Sequence, residues 1–292
     1  MSRAPLRRIQ SGAALILVLW LIVLLAGVVG ACALAARVEH LQTRSGLSLL
    51  QGGEMARAGL EYGLYRLSHA SLDQPVWQAD GRVYAWQFNG VPVEVRLQSE
   101  SGKVDLNHAD PTLLSALLVQ AGAPPAQAGR IAAAIIDWRD ADDLVQPGGG
   151  AEAGQYVAAG LPYGPANGPF VTVGELRRVM GMDEALFQTL VPWVTVWSDR
   201  LQPEPSLAPA EVLRAMGQDP EPWLARRRPA PEGQAAVPTG PIAAGDTFSI
   251  DSRARLVDGR DVRLRAVVRT GTASAVGPAY VALQWQQGME AR

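Results

Sequence analysis

The chain opens on an apolar run unlike anything after it. Ala13–Ala36 holds 24 residues without Asp, Glu, Lys or Arg. As a helix rising about 1.5 Å per residue it reaches roughly 36 Å, enough to cross a hydrocarbon core of about 30 Å with some tilt. Only a helix satisfies its own backbone groups in such a core. A buried helix of a soluble domain is rarely this long and uninterrupted; a plain signal anchor is the stronger alternative.

Helical spacing continues over Arg37–Leu67. Ala56, Leu60, Leu64 and Leu67 fall on one side, and Met55, Gly59, Tyr62 and Arg66 on another. Gly46, Gly52, Gly53, Gly59 and Gly63 each weaken a helix interior by up to about 1 kcal/mol relative to Ala. They read either as close packing or bending within a filament, or as a frayed stalk.

The period then shortens to two. Arg82–Phe88 and Val91–Leu97 alternate around Asn89-Gly90, a two-residue hairpin signal. Thr247–Leu256 and Asp261–Arg269 repeat the pattern around Asp258-Gly259, and Ala279–Trp285 offers a last strand. Between the two strand groups, Val104 to about Met216 reads mostly as helix. Asp110-Pro111-Thr112 starts one helix, with Pro at a tolerated first-turn position. Ala126–Trp138 is apolar along one side, Thr172 and Glu175 have capping-box spacing, and Asp183–Leu190 follows. Asp219–Gly245 carries six prolines and is expected to be an extended, exposed linker. Arg226-Arg227-Arg228 within it reads as a solvated patch.

These patterns predict an α+β fold. One antiparallel sheet lies on the C-terminal half of the long helix, and a large helical domain is inserted into the sheet domain. The expected divisions are a leader (1–12), a transmembrane helix (13–36), a stalk helix (37–68) and the first part of the sheet domain (69–103). An inserted helical domain (104–218), a Pro-rich linker (219–245) and completing C-terminal strands (246–292) follow.

Charge fixes a direction. Arg3, Arg7 and Arg8 precede the apolar run with no acid among them, while Arg37 and Arg44 beyond it are offset by Glu39. The positive-inside rule then keeps the N-terminus cytoplasmic. Cys32, the only cysteine, excludes an intrachain disulfide. His40, His69 and His108 form no Ser/His/Asp or zinc-ligand spacing, so the pattern argues against an enzyme.

The acidic group Asp137, Asp140, Asp142, Asp143 and Glu152 is the sharpest candidate for chemistry. Clustered carboxylates on a Gly-rich loop suit Ca²⁺, which takes six to eight oxygen ligands in flexible geometry. Gly148-Gly149-Gly150 would let the backbone fold Glu152 back toward the aspartates. The spacing is not that of an EF-hand, and a solvated acidic loop after a helix is the plain alternative.

The basic leader ends in Gly12, and the apolar run begins at Ala13. A secretory signal peptide is cut after its apolar segment; here the processing point precedes it, as in type IV pilin-like precursors. Ala13-Ala14-Leu15-Ile16-Leu17-Val18-Leu19-Trp20 resembles the start of pseudopilins. Most pilins carry Glu at the fifth mature position, where this chain has Leu17. That departure characterises the protein K family of type II secretion systems, the large minor pseudopilins. Arg57–Leu64, Gly102–Asn107, Ile136–Asp143, Ala159–Pro165 and Glu175–Met182 are similar to that family's segments in the same order.

The resemblance implies a pilin-like sheet domain and cleavage after Gly12 by a prepilin peptidase, with N-methylation of Ala13. It implies an inner-membrane, single-pass protein with a periplasmic body. It further implies assembly with minor pseudopilins I and J and the major pseudopilin filament, a place at the pseudopilus tip in protein secretion, and calcium in the helical domain. Val104–Ala109 followed by a helix also resembles helix-hairpin-helix domains, whose backbone amides meet nucleic-acid phosphate. A membrane-anchored DNA-uptake or pilus protein is therefore the alternative. Two features weigh against it: prolines in Gly122-Ala123-Pro124-Pro125-Ala126 remove donors, and removing the leader's three Arg leaves 23 basic against 28 acidic residues, a net charge of −5.

Overall fold

The computed structural model describes residues 11–69, 76–227, 245–256, 259–271 and 280–290. Two compact units meet at Gly52/Gly53. Helix α1 (Ser11–Ser68) contributes to both. In the first unit, Leu15–Arg37 is apolar, fully exposed and long enough to cross a membrane. It suits a single-pass anchor. Residues 1–10 of the expected leader lie outside the described residues.

In the second unit the hairpin and the C-terminal strands join one antiparallel sheet. Its strands are β1 (Asp80–Phe88), β2 (Val91–Ser99), β5 (Thr247–Arg255), β6 (Asp261–Thr270) and β7 (Tyr280–Glu290), in that spatial order. Asn89 (φ 50°) and Gly90 (φ 79°) both take the left-handed conformation that a tight β1–β2 turn demands. The inner face of β2, β5 and β6 meets α1 through Val93, Val95, Leu97, Ile250, Leu264 and Val268, packed on Ala56, Leu60 and Leu67. Tyr62 extends this core, stacking on Trp86 with ring centroids 4.2 Å apart and meeting Trp77 edge-on at 5.4 Å.

Gly59 and Gly63 explain how closely the helix approaches. A Cβ at Gly59 would stand 2.7 Å from Val93 Cγ1 and 3.2 Å from Val95 Cγ2, and one at Gly63 3.1 Å from Val95 Cγ1. These two glycines seat the helix on its own sheet, which replaces the expectation of filament bending or a frayed stalk at these positions. Gly59→Leu should therefore lower stability by at least about 2 kcal/mol despite better helix propensity, read as a lower urea midpoint.

The helical insert leaves the sheet after β2 and returns before β5. Short parallel strands β3 (Val104–Asp105) and β4 (Val194–Thr195) pair its start with the segment that precedes its last helices. Between them come α2 (Pro111–Gln120), α3 (Pro125–Arg139), α4 (Ala153–Ala158) and α5 (Glu184–Leu190). Asp110 and Asp183 cap α2 and α5, accepting from Leu113 N–H and Leu186 N–H at 2.8 Å each. The expected Thr172 cap is present with its Glu175 box, but it opens a 3-10 helix, Val173–Arg178. A separate core forms around Leu114, Leu117, Ile131, Ile135, Trp138, Tyr156 and Leu176, all buried.

The stretch expected to be an extended linker begins differently. After α6 (Ala210–Ala215), Pro220–Arg227 forms helix α7. Pro220 sits in its first turn, Asp219 Oδ1 accepts from Glu221 N–H at 3.1 Å, and Arg226 and Arg227 complement the dipole at its end. Local end signals outweigh the proline density here. Arg227 is not merely solvated: its Nη2 donates to Pro205 O at 2.8 Å and Ala208 O at 2.7 Å, while Arg226 lies over the Trp223 ring. Residues 228–244, including Arg228, lie outside the described residues.

Candidate metal centre

Helix α3 ends at Arg139, with Asp137 in its last turn and Asp140 as its C-cap. The chain then runs through the Gly-rich loop to Glu152, which precedes α4. Gly148 (φ 99°) and Gly149 (φ 103°) turn that loop back through left-handed conformations. Gly150 passes so close that a Cβ there would collide with Asp137 Oδ2 and stand 3.0 Å from Gln146 N. The loop therefore returns Glu152 to the end of α3.

One carboxylate oxygen from each of Asp137, Asp140 and Glu152 lies within 4.8 Å of the others. Asp137 and Glu152 are buried and Asp140 is half-buried. Asp137 Oδ1 accepts from Gln146 N–H at 3.0 Å, and Asp140 Oδ2 from Gln146 Nε2 at 3.3 Å. The oxygens left over have no partner: Asp137 Oδ2, Asp140 Oδ1 and both oxygens of Glu152. Glu152 instead uses its backbone, its N–H donating to Gln155 Oε1 at 3.0 Å.

Electrostatics follow from this crowding. Burial, then the nearby Asp137 and Asp140, push the Glu152 carboxyl up to about 7 from 4.5. Burial also raises Asp137, against the lowering effect of its backbone hydrogen bonds. Unpaired buried carboxylates are costly unless protonated or bound to a cation. An all-oxygen set with orphaned atoms converging on one point fits a hard divalent ion.

The other two candidates lie apart from this group. Asp142 Oδ1 accepts from Leu144 N–H at 2.8 Å, and Asp143 Oδ1 from Asn167 Nδ2 at 3.3 Å. Both are exposed, and their charges add to the field at Glu152.

A second polar centre holds the insert together. Asp105, buried, accepts from Asn107 N–H at 2.9 Å through Oδ1, and His108 Nδ1 stands 3.3 Å from the same oxygen. Its Oδ2 accepts from Ser198 N–H at 3.0 Å, Ser198 Oγ at 2.9 Å and Asp199 N–H at 3.0 Å. Asn107 exchanges hydrogen bonds with the Phe170 backbone at 3.0 and 2.7 Å, and Arg139 donates to the carbonyls of Leu106 and Ala109. Asp105, Asn107, His108 and Arg139 occur in segments singled out by sequence; Phe170, Ser198 and Asp199 do not. Their clasp role was missed because their partners lie up to 94 residues away.

In the α2–α3 connection, Gly122 and Ala123 donate their N–H groups to Val119 O and Leu118 O, both at 3.0 Å. Pro124 and Pro125 have no N–H to give. This hairpin thus commits its amides internally rather than presenting them to phosphate.

Residues 95–199 match a family model described as "Type II secretion system (T2SS), protein K". That segment contains the clasp and all five acidic candidates. A "Type II secretion system protein K" of Klebsiella pneumoniae is 30% identical over 211 residues, covering 65% of this chain and 64% of the relative. The chain is similar to the type II secretion system protein K family over these segments. A "Type II secretion system protein K" from Pseudomonas aeruginosa is 29% identical over 235 residues, covering 72% of this chain and 69% of that protein. The chain spans slightly under two thirds of the Klebsiella family member and of a 28% identical one from Pectobacterium carotovorum, at 64% and 63% of their lengths. The family fold is also found in the crystal structure of the GspK-GspI-GspJ complex from the enterotoxigenic Escherichia coli Type 2 Secretion System. It aligns with a TM-score of 0.59 at 20% identity, over 85% of this chain and 99% of the solved one.

Proposed function

We propose that this protein is a minor pseudopilin that assembles with pseudopilins I and J and sits at the tip of the pseudopilus, where it supports export of folded proteins across the outer membrane. It is a structural component and not an enzyme. The observation that carries the reading is a pilin-like helix-on-sheet body interrupted by a helical insert whose residues match the protein K family. The solved relative forms a complex with I and J.

The same reading gives the N-terminus its role. A prepilin peptidase cuts after Gly12, the Ala13 amine is methylated, and the body lies in the periplasm. Leu17 supplies no carboxylate for a neighbour's amine, as befits a subunit with none above it. The bulky insert would likewise obstruct lateral neighbours within the major pseudopilin filament. Asp137, Asp140 and Glu152 hold a structural Ca²⁺ that ties α3 to α4, with Asp142 and Asp143 adding negative field around it.

Co-expression of the full chain with pseudopilins I and J, solubilisation in detergent and capture through this chain should recover all three. Intact mass should show the chain beginning at methylated Ala13. Recovery of this chain alone, tight DNA binding near physiological salt, or an uncut leader in cells with active peptidase would count against the reading.

A further inference from the structure

The outward face of the sheet is basic, although the chain as a whole is acidic. Inner residues such as Val95, Ile250 and Leu264 are buried, and the residues alternating with them turn away from α1. Those outward positions on β2, β5 and β6 carry Arg96, Arg253, Arg255, Arg263, Arg265 and Arg269 against Glu94, Asp251 and Asp261. The full sequence has the opposite balance, a net charge of −2.

The few carboxylates are shared. Asp261 pairs with Arg253 at 2.5 Å and with Arg255 at 3.2 Å. Asp251 pairs with Arg263 and, at 3.3 Å, with Arg265. Arg253 also reaches Glu94 at 3.8 Å, and Arg269 reaches Asp199 of the insert at 3.7 Å. Arg96 is exposed and has no ion pair among the described residues. A guanidinium is a fork that can hold a whole carboxylate in bidentate fashion, so arginines sharing one acid retain donors for another.

Two recesses join along this face. A hollow of about 110 Å³ lies between Glu94, Arg96, Asp251, Arg253 and Arg263. Arg96 and Asp251 also border an open trough of about 730 Å³. One side of the trough is the sheet, with Gln98, Ser249 and Arg265, and the other is the insert, with Phe187, Trp193 and Trp197. A basic stretch thus leads along the strands into one walled by aromatic rings.

Spacing selects the occupant. Arg253 and Arg255 stand two residues apart on their strand, as do Arg263 and Arg265, a pitch of roughly 7 Å. An extended chain presents alternate side chains at the same pitch. The intervening Glu94, Asp251 and Asp261 would repel the continuous phosphate row of a nucleic acid, and a recess is closed to a flat layer of lipid headgroups. Separate carboxylates can be set between these acids, each against its own arginine. We propose that this face binds an extended acidic segment of a partner protein, with carboxylates at alternate positions on the arginines and an apolar side chain in the trough against Trp193 and Trp197. The site does not depend on the assembly with I and J.

The test uses the full chain in a non-ionic detergent and a fluorescein-labelled synthetic peptide in which Glu alternates with Thr between flanking Leu residues. Fluorescence anisotropy should show saturable binding that weakens as salt rises. The same peptide with Gln in place of Glu should bind at least about tenfold more weakly. Arg96→Glu with Arg265→Glu should cause a similar loss while leaving the melting temperature nearly unchanged, since both side chains are exposed. Arg214→Glu, at an exposed arginine on α6, should bind the peptide as the parent does. If the double Glu variant melts lower, Arg96→Lys with Arg265→Lys keeps the charge but loses the fork, and should bind with intermediate affinity. Equal binding of the Gln peptide, unaltered affinity in both double variants, or an equal loss in Arg214→Glu would overturn the proposal. So would tighter binding to phosphatidylglycerol vesicles or duplex DNA than to the Glu peptide.

Discussion

Calcium added to the chelated full-length chain should raise the melting temperature of its Gly53–Arg292 unit by roughly 5–10 °C near neutral pH. The size follows from linkage: an ion at a hundred times its dissociation constant contributes about 2.7 kcal/mol, and a unit of this length shifts by roughly 2–4 °C per kcal/mol. The pH dependence carries a definite sign. Glu152 stands at about 7 in the folded metal-free site against 4.5 ordinarily. A carboxyl raised in this way stabilises the folded state below about 4.5 and loses that contribution as pH rises through about 7. Asp137 is raised too and acts in the same direction. Chelated protein should therefore weaken across that window, while calcium, which needs the ionised form, becomes more effective. The gap between the two melting curves should open from about pH 5 and be wide by about pH 7.5.

Glu152→Gln separates the ion from the fold. It removes a buried, unpartnered charge, so it should raise the melting temperature of the chelated protein at neutral pH and shrink the calcium-induced rise. A variant that melts lower in EDTA, or a parent indifferent to calcium at every pH, would mean that the acidic group is not an ion site.

Asp105→Ala should be the most damaging single change in the insert, at about 3–5 kcal/mol. Each buried donor left without an acceptor costs about 1–3 kcal/mol, and this carboxylate serves Asn107, Ser198 twice and Asp199. The sum is held below simple addition because the freed loop after β4 can relax toward water. Asp110→Ala removes one capping bond and should cost only about 1 kcal/mol. Urea midpoints of the two variants, measured side by side, check the ratio. Similar midpoints would show that the Asp105 network does not hold the start of the insert to the loop after β4.

Signals that act over a few residues were legible in the chain. Asn89-Gly90 marked its hairpin because two adjacent left-handed residues leave few alternatives. The apolar spacing of Ala56, Leu60 and Leu67 located the face of α1 that meets the sheet. What escaped depends on distance. That Gly59 faces Val93 and Ser252, or that Asp105 reaches Ser198, follows from how distant segments meet, which local periodicity does not encode. Helix α7 escaped for another reason: proline density argued for extension, whereas Pro220 sits where a helix tolerates it. The acidic loop was half legible. Its residue types picked out five carboxylates, but that Asp137, Asp140 and Glu152 come together while Asp142 and Asp143 stay exposed depends on the glycine turn.

The parallel pairing of Val104 with Val194 bears on how the molecule is born. β2 and β5 are neighbours, Val93 lying opposite Ala254, although the whole insert separates them along the chain. Emerging from its N-terminal end, the polypeptide finishes β2 long before β5 exists. A bare loop of that length closes slowly, and the unmatched strand would stay sticky meanwhile. Once the helices condense, the β3–β4 pairing bypasses residues 106–193 and shortens the tether between β2 and β5 to the segments on either side of them. The insert thereby works as a splint that sets the gap, so that late-arriving strands find their place beside the early ones.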